Sequence, residues 1–247
     1  MIGRVLAFLY GMVAYLIFLV AFLYAIAFVG NIGLVPKTID SGTAGPFVKA
    51  LIVDAILLSL FAVQHSVMAR QWFKHAWKKI VPEPVERSTY VLLASLILLL
   101  LFWKWHPMTG VIWDVRNHPN GRTILQGLFW MGWGMVLVST WLVDHFDLFG
   151  LKQVIYYARG KRIEPPPFKN PALYKIVRHP IYLGFIIAFW ATPRMTSGHL
   201  FFAFMTTAYI LVAIQFEERD LIKFYGDQYR HYRQQVSMLF PLHLPRR

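Results

Sequence analysis

Two short groups of residues have the types and spacing to do chemistry. Arg178, His179, Pro180 and Tyr182 stand together in "KIVRHPIYLGF", and Glu217 and Glu218 form a pair in "AIQFEERDL". A guanidinium and an imidazole supply donors for an anion, and paired carboxylates supply partners for a cation. Proline suits the first turn of a helix, since its missing N–H would be unpaired there anyway. Pro180 is therefore expected to start a helix and hold His179 just outside it. Unpaired N–H groups at such a helix start can bind a carboxylate or a phosphate. Taken alone, Arg178 reads as a lipid-headgroup anchor. Beside Glu217 and Glu218 it becomes part of one site that serves both an anion and a cation.

Other side chains could move a proton. His65 lies late in an apolar stretch, where an ionisable residue is a functional candidate by default, although a hydrogen-bonded structural histidine is the plainer reading. His145 stands between Asp144 and Asp147 and has an equally plain reading as a structural ion pair. His65, His145, Asp144 and the glutamate pair, Glu218 included, all stay open as proton acceptors. The same two histidines suggest a different class, a non-enzymatic haem protein with His65 and His145 as axial ligands.

The elements that must position these residues are apolar. Of 247 residues, 57% are hydrophobic and 15% charged, against about a quarter charged in an average soluble domain. The apolar residues come in blocks close to the roughly 20 residues that cross a bilayer as a helix. Val5 to Val29 is the first block. The second runs to Ala69 from near Phe47, with Lys49 and Asp54 towards its outer end. Tyr90 to Trp103 and Ile124 to Val143 follow. Ile181 to Thr192 and Leu200 to Phe216 are shorter, separated by 193–198, and read as a tight helical hairpin. The expectation is an all-α polytopic membrane protein of five to six transmembrane helices, in one domain: 1–143 with four spans, a connection at 144–180, the hairpin at 181–216 and a cytoplasmic segment at 217–247. The first block far exceeds the roughly 7–15 apolar residues of a cleavable signal and should stay in the protein.

The net charge of +13 is explained by placement. With six spans, all of the 25 Lys and Arg except Lys37, Lys49, Lys104, Arg116, Arg122 and Arg194 fall on the amino-terminal side. Cytoplasmic loops carry such an excess. Both termini are thus expected in the cytoplasm, in a multi-pass membrane protein, with membrane lipid rather than nucleic acid as the partner of the charge. No obligate protein partner is evident. Cysteine is absent, which excludes disulfides, thiolate metal sites and a cysteine nucleophile, and no metal is expected.

The connection 144–180 opens with "DHFDLFGLKQ" and passes through Pro165, Pro166 and Pro167, which favour an extended, stiff course. Phe146, Leu148, Phe149, Tyr156, Tyr157 and Phe168 argue against disorder there. After the last block, Leu221, Tyr225, Gln228, Tyr229, Tyr232 and Val236 recur at spacings of three and four, as on an amphipathic helix. The plain reading is an interfacial helix anchored by tyrosines.

These residues resemble the carboxy-terminal half of the isoprenylcysteine carboxyl methyltransferase superfamily of membrane methyltransferases. The pattern is Arg178, His179, Pro180 and Tyr182, a hairpin, Glu217 and Glu218, then Leu221, Gly226, Tyr229, Tyr232 and Pro241. Over nearly its full length the chain is similar to one branch, the bacterial methanethiol S-methyltransferases, through "DHFDLFGL", "EPPPF", "ATP", "TSGHL" and "TTAYILVAIQFEERDL". That resemblance implies S-methylation of a small thiol substrate, methanethiol, to dimethyl sulfide with S-adenosyl-L-methionine. It also implies that Tyr174, His179, Pro180, Ile181 and Tyr182 line the cofactor pocket, with Glu217 or Glu218 near the cationic end and Glu218 favoured, while Arg178 either joins the pocket or binds lipid. Superfamily members that act on prenylcysteine or phospholipid are the alternative. Enzymes for prenylated cysteine place an arginine about one turn before the glutamates, where Ala213 and Ile214 stand here. A carboxylate substrate would lose its partner at that turn, and an unpaired buried charge is expensive. A small neutral thiol loses nothing.

Overall fold

Backbone polar groups cannot stay unpaired in hydrocarbon, so a chain this apolar must close its hydrogen bonds within each segment. A computed structural model describes residues 2–162 and 167–241. In chain order its helices are α1 (Ile2–Val29), α2 (Phe47–Ala69), α3 (Gln71–Trp77), α4 (Glu83–Lys104), α5 (Pro119–Val143), α6 (His145–Leu148), α7 (Leu151–Ala158), α8 (Pro180–Trp190), α9 (Ser197–Tyr225) and α10 (Asp227–Gln235). Two short strands, β1 (Val111–Asp114) and β2 (Arg194–Thr196), pair antiparallel. Helices α1, α2, α4, α5 and α9 are long and apolar enough to cross a membrane. The protein is an all-α, multi-pass membrane protein. Pro165 and Pro166 of the proposed stiff connection, and Arg246 and Arg247, lie outside the described residues.

The described residues form two compact units. The first holds α1 to α4 with α6 and α7. Here α1 packs on α4 and α7, and α2 packs on α4. Phe28 meets both Phe102 and Trp105, and the buried Trp105 indole donates to the Ile39 carbonyl at 3.0 Å. Arg87 Nε donates to Leu148 O and Ser88 Oγ to Gly150 O, which fastens the α6–α7 segment to the start of α4.

The second unit holds β1, α5, α8, β2, α9 and α10. Helices α5 and α8 touch backbone to backbone at Gly132 and Gly184. A Cβ on Gly132 would stand 2.6 Å from the Gly184 carbonyl, and one on Gly184 would stand 2.7 Å from that of Gly132. The expected hairpin forms with unequal arms. Helix α9 has 29 residues and carries Glu217 and Glu218 within it, whereas α8 has only 11. At 1.5 Å per residue α8 covers about 16 Å, roughly half of a hydrocarbon core. The rest of that arm is extended chain, and its exposed carbonyls are answered individually. Thr192 O accepts from Trp113 Nε1 at 3.0 Å, and Pro193 O accepts from Val115 N at 2.9 Å. The ladder sets Val111 opposite Thr196 and Asp114 opposite Arg194, so the far end of the arm lies beside the approach to α5. Thr196 then caps α9 by accepting from His199 N.

The tyrosine stripe differs from its plain reading as an interfacial anchor. Gly226, at φ +59°, breaks the helix, leaving Leu221 and Tyr225 on α9 and placing Tyr229 and Tyr232 on α10. Tyr229 and Tyr232 are buried, with Phe168 packed against Tyr225, Tyr229 and Tyr232. Aromatic partners within the chain take the place of lipid headgroups there.

Candidate active site

Helix α8 begins at Pro180, and His179 is its N-cap. The strand-like stretch before it is held by the chain that follows α10. Val177 pairs with Ser237 in a parallel bridge, Arg178 N donates to Ser237 O at 2.8 Å, and His179 N donates to Met238 O at 3.2 Å. The backbone of the Arg-His-Pro stretch is thereby fixed before any side chain is considered.

Adjacent helix residues point about 100° apart, and the glutamates accordingly divide. Glu218 is buried at 3% exposure, and both of its oxygens are engaged. Oε1 accepts from Arg178 Nε at 2.7 Å and faces His179 Nε2 at 3.1 Å, while Oε2 pairs with Arg233 Nε at 3.2 Å. The Arg178 guanidinium also donates to the carbonyls of Arg233 and Val236. Arg178 is thus an internal cross-link rather than a headgroup anchor: its side chain is 9% exposed. The Glu217 side chain is 42% exposed, accepts from the Tyr182 hydroxyl at 2.8 Å, and lies 3.9 Å from His179 Nδ1. Between them, His179 and Tyr182 carry the charge of α9 to the first turn of α8.

Tyrosines close the other side. Tyr232 OH donates to the Tyr174 carbonyl, and Tyr174 OH reaches Ser139 O at 3.4 Å. Burial raises the phenols of Tyr174 and Tyr229 above their ordinary value and pushes Tyr232 up to about 12, so all three remain donors at neutral pH. The Tyr229 hydroxyl is buried, lies within electrostatic reach of Glu218 and Arg178, and has no hydrogen-bond partner among the described residues. A buried polar group is normally satisfied, so this hydroxyl fits a ligand atom. Together with the half-exposed Glu217 carboxylate and His179, it suits a molecule bearing both cationic and anionic groups. Pro180 is buried and Ile181 is half-buried on the first turn of α8. A groove of about 370 Å³ lined by Ile222, Arg230, Arg233 and Gln234 adjoins this cluster through Arg233.

Of the proposed proton acceptors, Glu217 and Glu218 belong to this cluster, and His65, His145 and Asp144 have other surroundings. His65, on α2 in the first unit, has the Tyr90 hydroxyl 2.9 Å from its ring nitrogens and stacks on Phe61. His145, on α6 in the same unit, is buried and meets Tyr15 OH through Nε2 at 2.8 Å. Both histidines face tyrosine hydroxyls, which favours a structural role and gives the haem reading no support. Asp144 is the C-cap of α5 in the second unit. Among the described residues no group of three His, Asp or Glu side chains is placed to hold a metal. Of Ala213 and Ile214, which fill the turn before the glutamates, Ile214 is fully buried in an apolar cluster with Val177, Leu183, Ile210 and Leu239. Sequence reasoning missed Arg233, which it counted only as a topological cation, and the carbonyls after α10 that hold Arg178. Neither gives a signal in sequence, because both act through contacts across distant segments.

No family model matches the chain, and no solved structure does so significantly. Curated proteins do. The chain is 58% identical to a methanethiol S-methyltransferase of Mycobacterium tuberculosis, covering 96% of this chain and 97% of that one. It is 57% identical to methanethiol S-methyltransferase 1 of Bradyrhizobium diazoefficiens, covering 97% and 84%. A methanethiol S-methyltransferase of Crocosphaera subtropica is 52% identical, over 97% and 93%. Identity at this level runs through both units, and the Arg-His-Pro cluster with its glutamates belongs to the matched region. The chain belongs to the methanethiol S-methyltransferase family.

Proposed function

We propose that this membrane enzyme transfers the methyl group of S-adenosyl-L-methionine to methanethiol, giving dimethyl sulfide, in a cytoplasm-facing site built on His179, Tyr182 and Glu217. The relatives' names support the reaction. One observation carries the site: of the two adjacent glutamates, Glu217 keeps a half-exposed carboxylate beside His179 and Tyr182. When bound, the cofactor supplies an electrophilic methyl on a sulfonium.

The chain's own residues bind and orient. Glu217 attracts the cationic end of the cofactor, with Tyr182 holding the carboxylate in place. Glu218 is already saturated by Arg178, His179 and Arg233. It therefore positions His179 instead of meeting the ligand. The first turn of α8, with His179 and the Tyr229 hydroxyl, offers donors to the cofactor's carboxylate. In-line displacement at carbon depends chiefly on alignment of donor, methyl and acceptor. A rigid α8, clamped by the chain after α10, serves that need. The thiolate is the nucleophile, so the thiol proton must leave; His65, His145 and Asp144 stay candidates for accepting it. Inner-membrane placement with both termini in the cytoplasm follows from the Lys and Arg bias.

The test is titration of purified protein with S-adenosyl-L-methionine, followed by headspace detection of dimethyl sulfide on addition of methanethiol. Glu217→Gln should weaken cofactor binding about tenfold or more, the range for losing a bond between charged groups, with the protein still folded. Unchanged binding and turnover in Glu217→Gln would move the site elsewhere.

A further inference from the structure

A second polar cavity opens in the first unit, where α2 gives way to α3 and α4 begins. It has a volume of about 150 Å³ and is lined by Ala69, Lys74, Glu86, Arg87 and Tyr90. Its depth is fixed by its neighbours. The apolar run of α2 ends at Ala69, and that of α4 begins at Tyr90, whose hydroxyl bonds the His65 backbone carbonyl and faces its ring. Trp72 and Ile80 project into the surroundings on either side, at 66% and 77% exposure. Such a level, with exposed aromatic residues beside cations, is the headgroup region of a bilayer.

The charges in this cavity are not paired with one another. Lys74 is half-buried and its ammonium makes no hydrogen bond or ion pair among the described residues. Burial, and then the Arg87 guanidinium, lowers its affinity for the proton, while the Glu86 carboxylate acts the other way from beyond ion-pair distance. Among the described residues Arg87 uses only Nε, towards Leu148 O. Glu86 is buried at 9% exposure and likewise has no hydrogen bond or ion pair among the described residues. Nearby, Lys78 and Glu83 satisfy each other at 2.6 Å, so local carboxylates and lysines do pair where geometry permits. A buried carboxylate and half-buried cations left apart in this way are costly without a partner. The missing partner must carry an anion for Lys74 and Arg87 and a cation for Glu86, within a few ångströms of each other, at headgroup depth.

We propose that this cavity binds the phosphoethanolamine headgroup of a membrane phospholipid, with the phosphodiester between Lys74 and Arg87 and the ammonium on Glu86. Basic pockets between transmembrane helices on the cytoplasmic side commonly take lipid headgroups. Glu86 adds the selectivity, because an anionic glycerol headgroup would leave that carboxylate buried and unpaired. The lipid would brace α2, α3 and α4 at the level of Tyr90 and His65.

The experiment is native mass spectrometry of the full-length detergent-purified protein. It is titrated separately with phosphatidylethanolamine, phosphatidylglycerol and inorganic phosphate. Phosphatidylethanolamine should bind at one saturable site, ahead of phosphatidylglycerol. Lys74→Ala should weaken that binding about tenfold, as expected for loss of a charge-assisted contact. Glu86→Gln should reverse the order of the two lipids. A thermal unfolding scan of each variant without lipid reports whether it remains folded. Equal binding of both lipids by the native chain, unaltered binding by a folded Lys74→Ala, or an unaltered lipid order in a folded Glu86→Gln would overturn the proposal. So would saturation by inorganic phosphate that blocks the lipid, which would make the site one for a soluble phosphate. If both variants unfold, Lys74→Arg, which keeps the charge, should retain the lipid; its failure to do so while folded also counts against the site.

Discussion

Glu217 and Glu218 are chemically identical and adjacent, yet the fold gives them opposite tasks. Glu218 sits among Arg178, His179 and Arg233 with its carboxylate buried. Removing one member of a buried ion pair leaves the others uncompensated, at about 3 kcal/mol or more. Glu218→Ala should therefore lower unfolding stability by roughly that amount, while Glu217→Gln, half-exposed, should cost well under 1 kcal/mol. Denaturant titration of the two variants in the same detergent checks the difference. Tyr232 carries a pH signature of its own. Its folded pKa, raised by burial to about 12, exceeds the ordinary value of 10.0. The folded state then holds the proton more tightly, so this group's contribution to stability is fully present below pH 10. It declines as pH rises towards 12. Tyr232→Phe should flatten the loss of stability between pH 10 and 12, measured by unfolding across that range. An equal slope in native and variant protein would mean that Tyr232 does not titrate in this way.

Among the elements, α8 depends most on its neighbours. Eleven residues make no independent span, and its mean position is set by contact with α5 at Gly132 and Gly184. Small residues let transmembrane helices approach closely enough for backbone packing. At Gly184 an added Cβ would stand 2.7 Å from Gly132 O and 3.0 Å from Val136 N. Backbone atoms cannot rotate away, so Gly184→Ala must separate the helices, and overpacking of this kind costs roughly 1–3 kcal/mol. Because His179 caps this helix, the shift should also reach the candidate site. The expected outcome is a lower melting temperature together with weaker cofactor binding. An unperturbed melting temperature would show that the crossing is looser than these distances imply. The amphipathic stripe after Phe216 was legible as helix in the sequence, since spacings of three and four persist across it. Its division at Gly226 was not, because one glycine in a periodic run is compatible with either course. The side chains that bury Tyr229 and Tyr232, such as Phe168, come from another segment altogether.

For the molecule as a whole, topology follows from charge and from the hairpin's closure. His179 meets Glu218 at one end of the hairpin, and Thr196 pairs with Val111 at the other. The short α8 with its extended continuation therefore covers the same distance that α9 covers between Thr196 and Glu218, which α8 alone is too short to do. The proposed topology counts that arm as a sixth crossing, and on that count the positive-inside bias would put both termini in the cytoplasm. Alkaline phosphatase fused after Arg247 should be inactive, and a fluorescent reporter there should be bright. An active phosphatase at that position would refute the even number of crossings.

Membrane class, the number and order of apolar segments and the start of α8 at Pro180 were all determined by the sequence alone. Each rests on local composition or on a single residue's covalent geometry, which needs no partner to be read. The order of Arg178, His179, Tyr182, the two glutamates and the later tyrosines likewise identified the family. Only the tertiary structure decided which glutamate is buried, that Arg178 is an internal cross-link, that the hairpin arm after α8 is extended chain held by Trp113 and Val115, and that Arg233 completes the cluster. Those outcomes depend on contacts that skip along the chain, 40 positions between Arg178 and Glu218 and 15 between Glu218 and Arg233 across the break at Gly226. Periodicity along one segment carries no information about which distant atom will meet it.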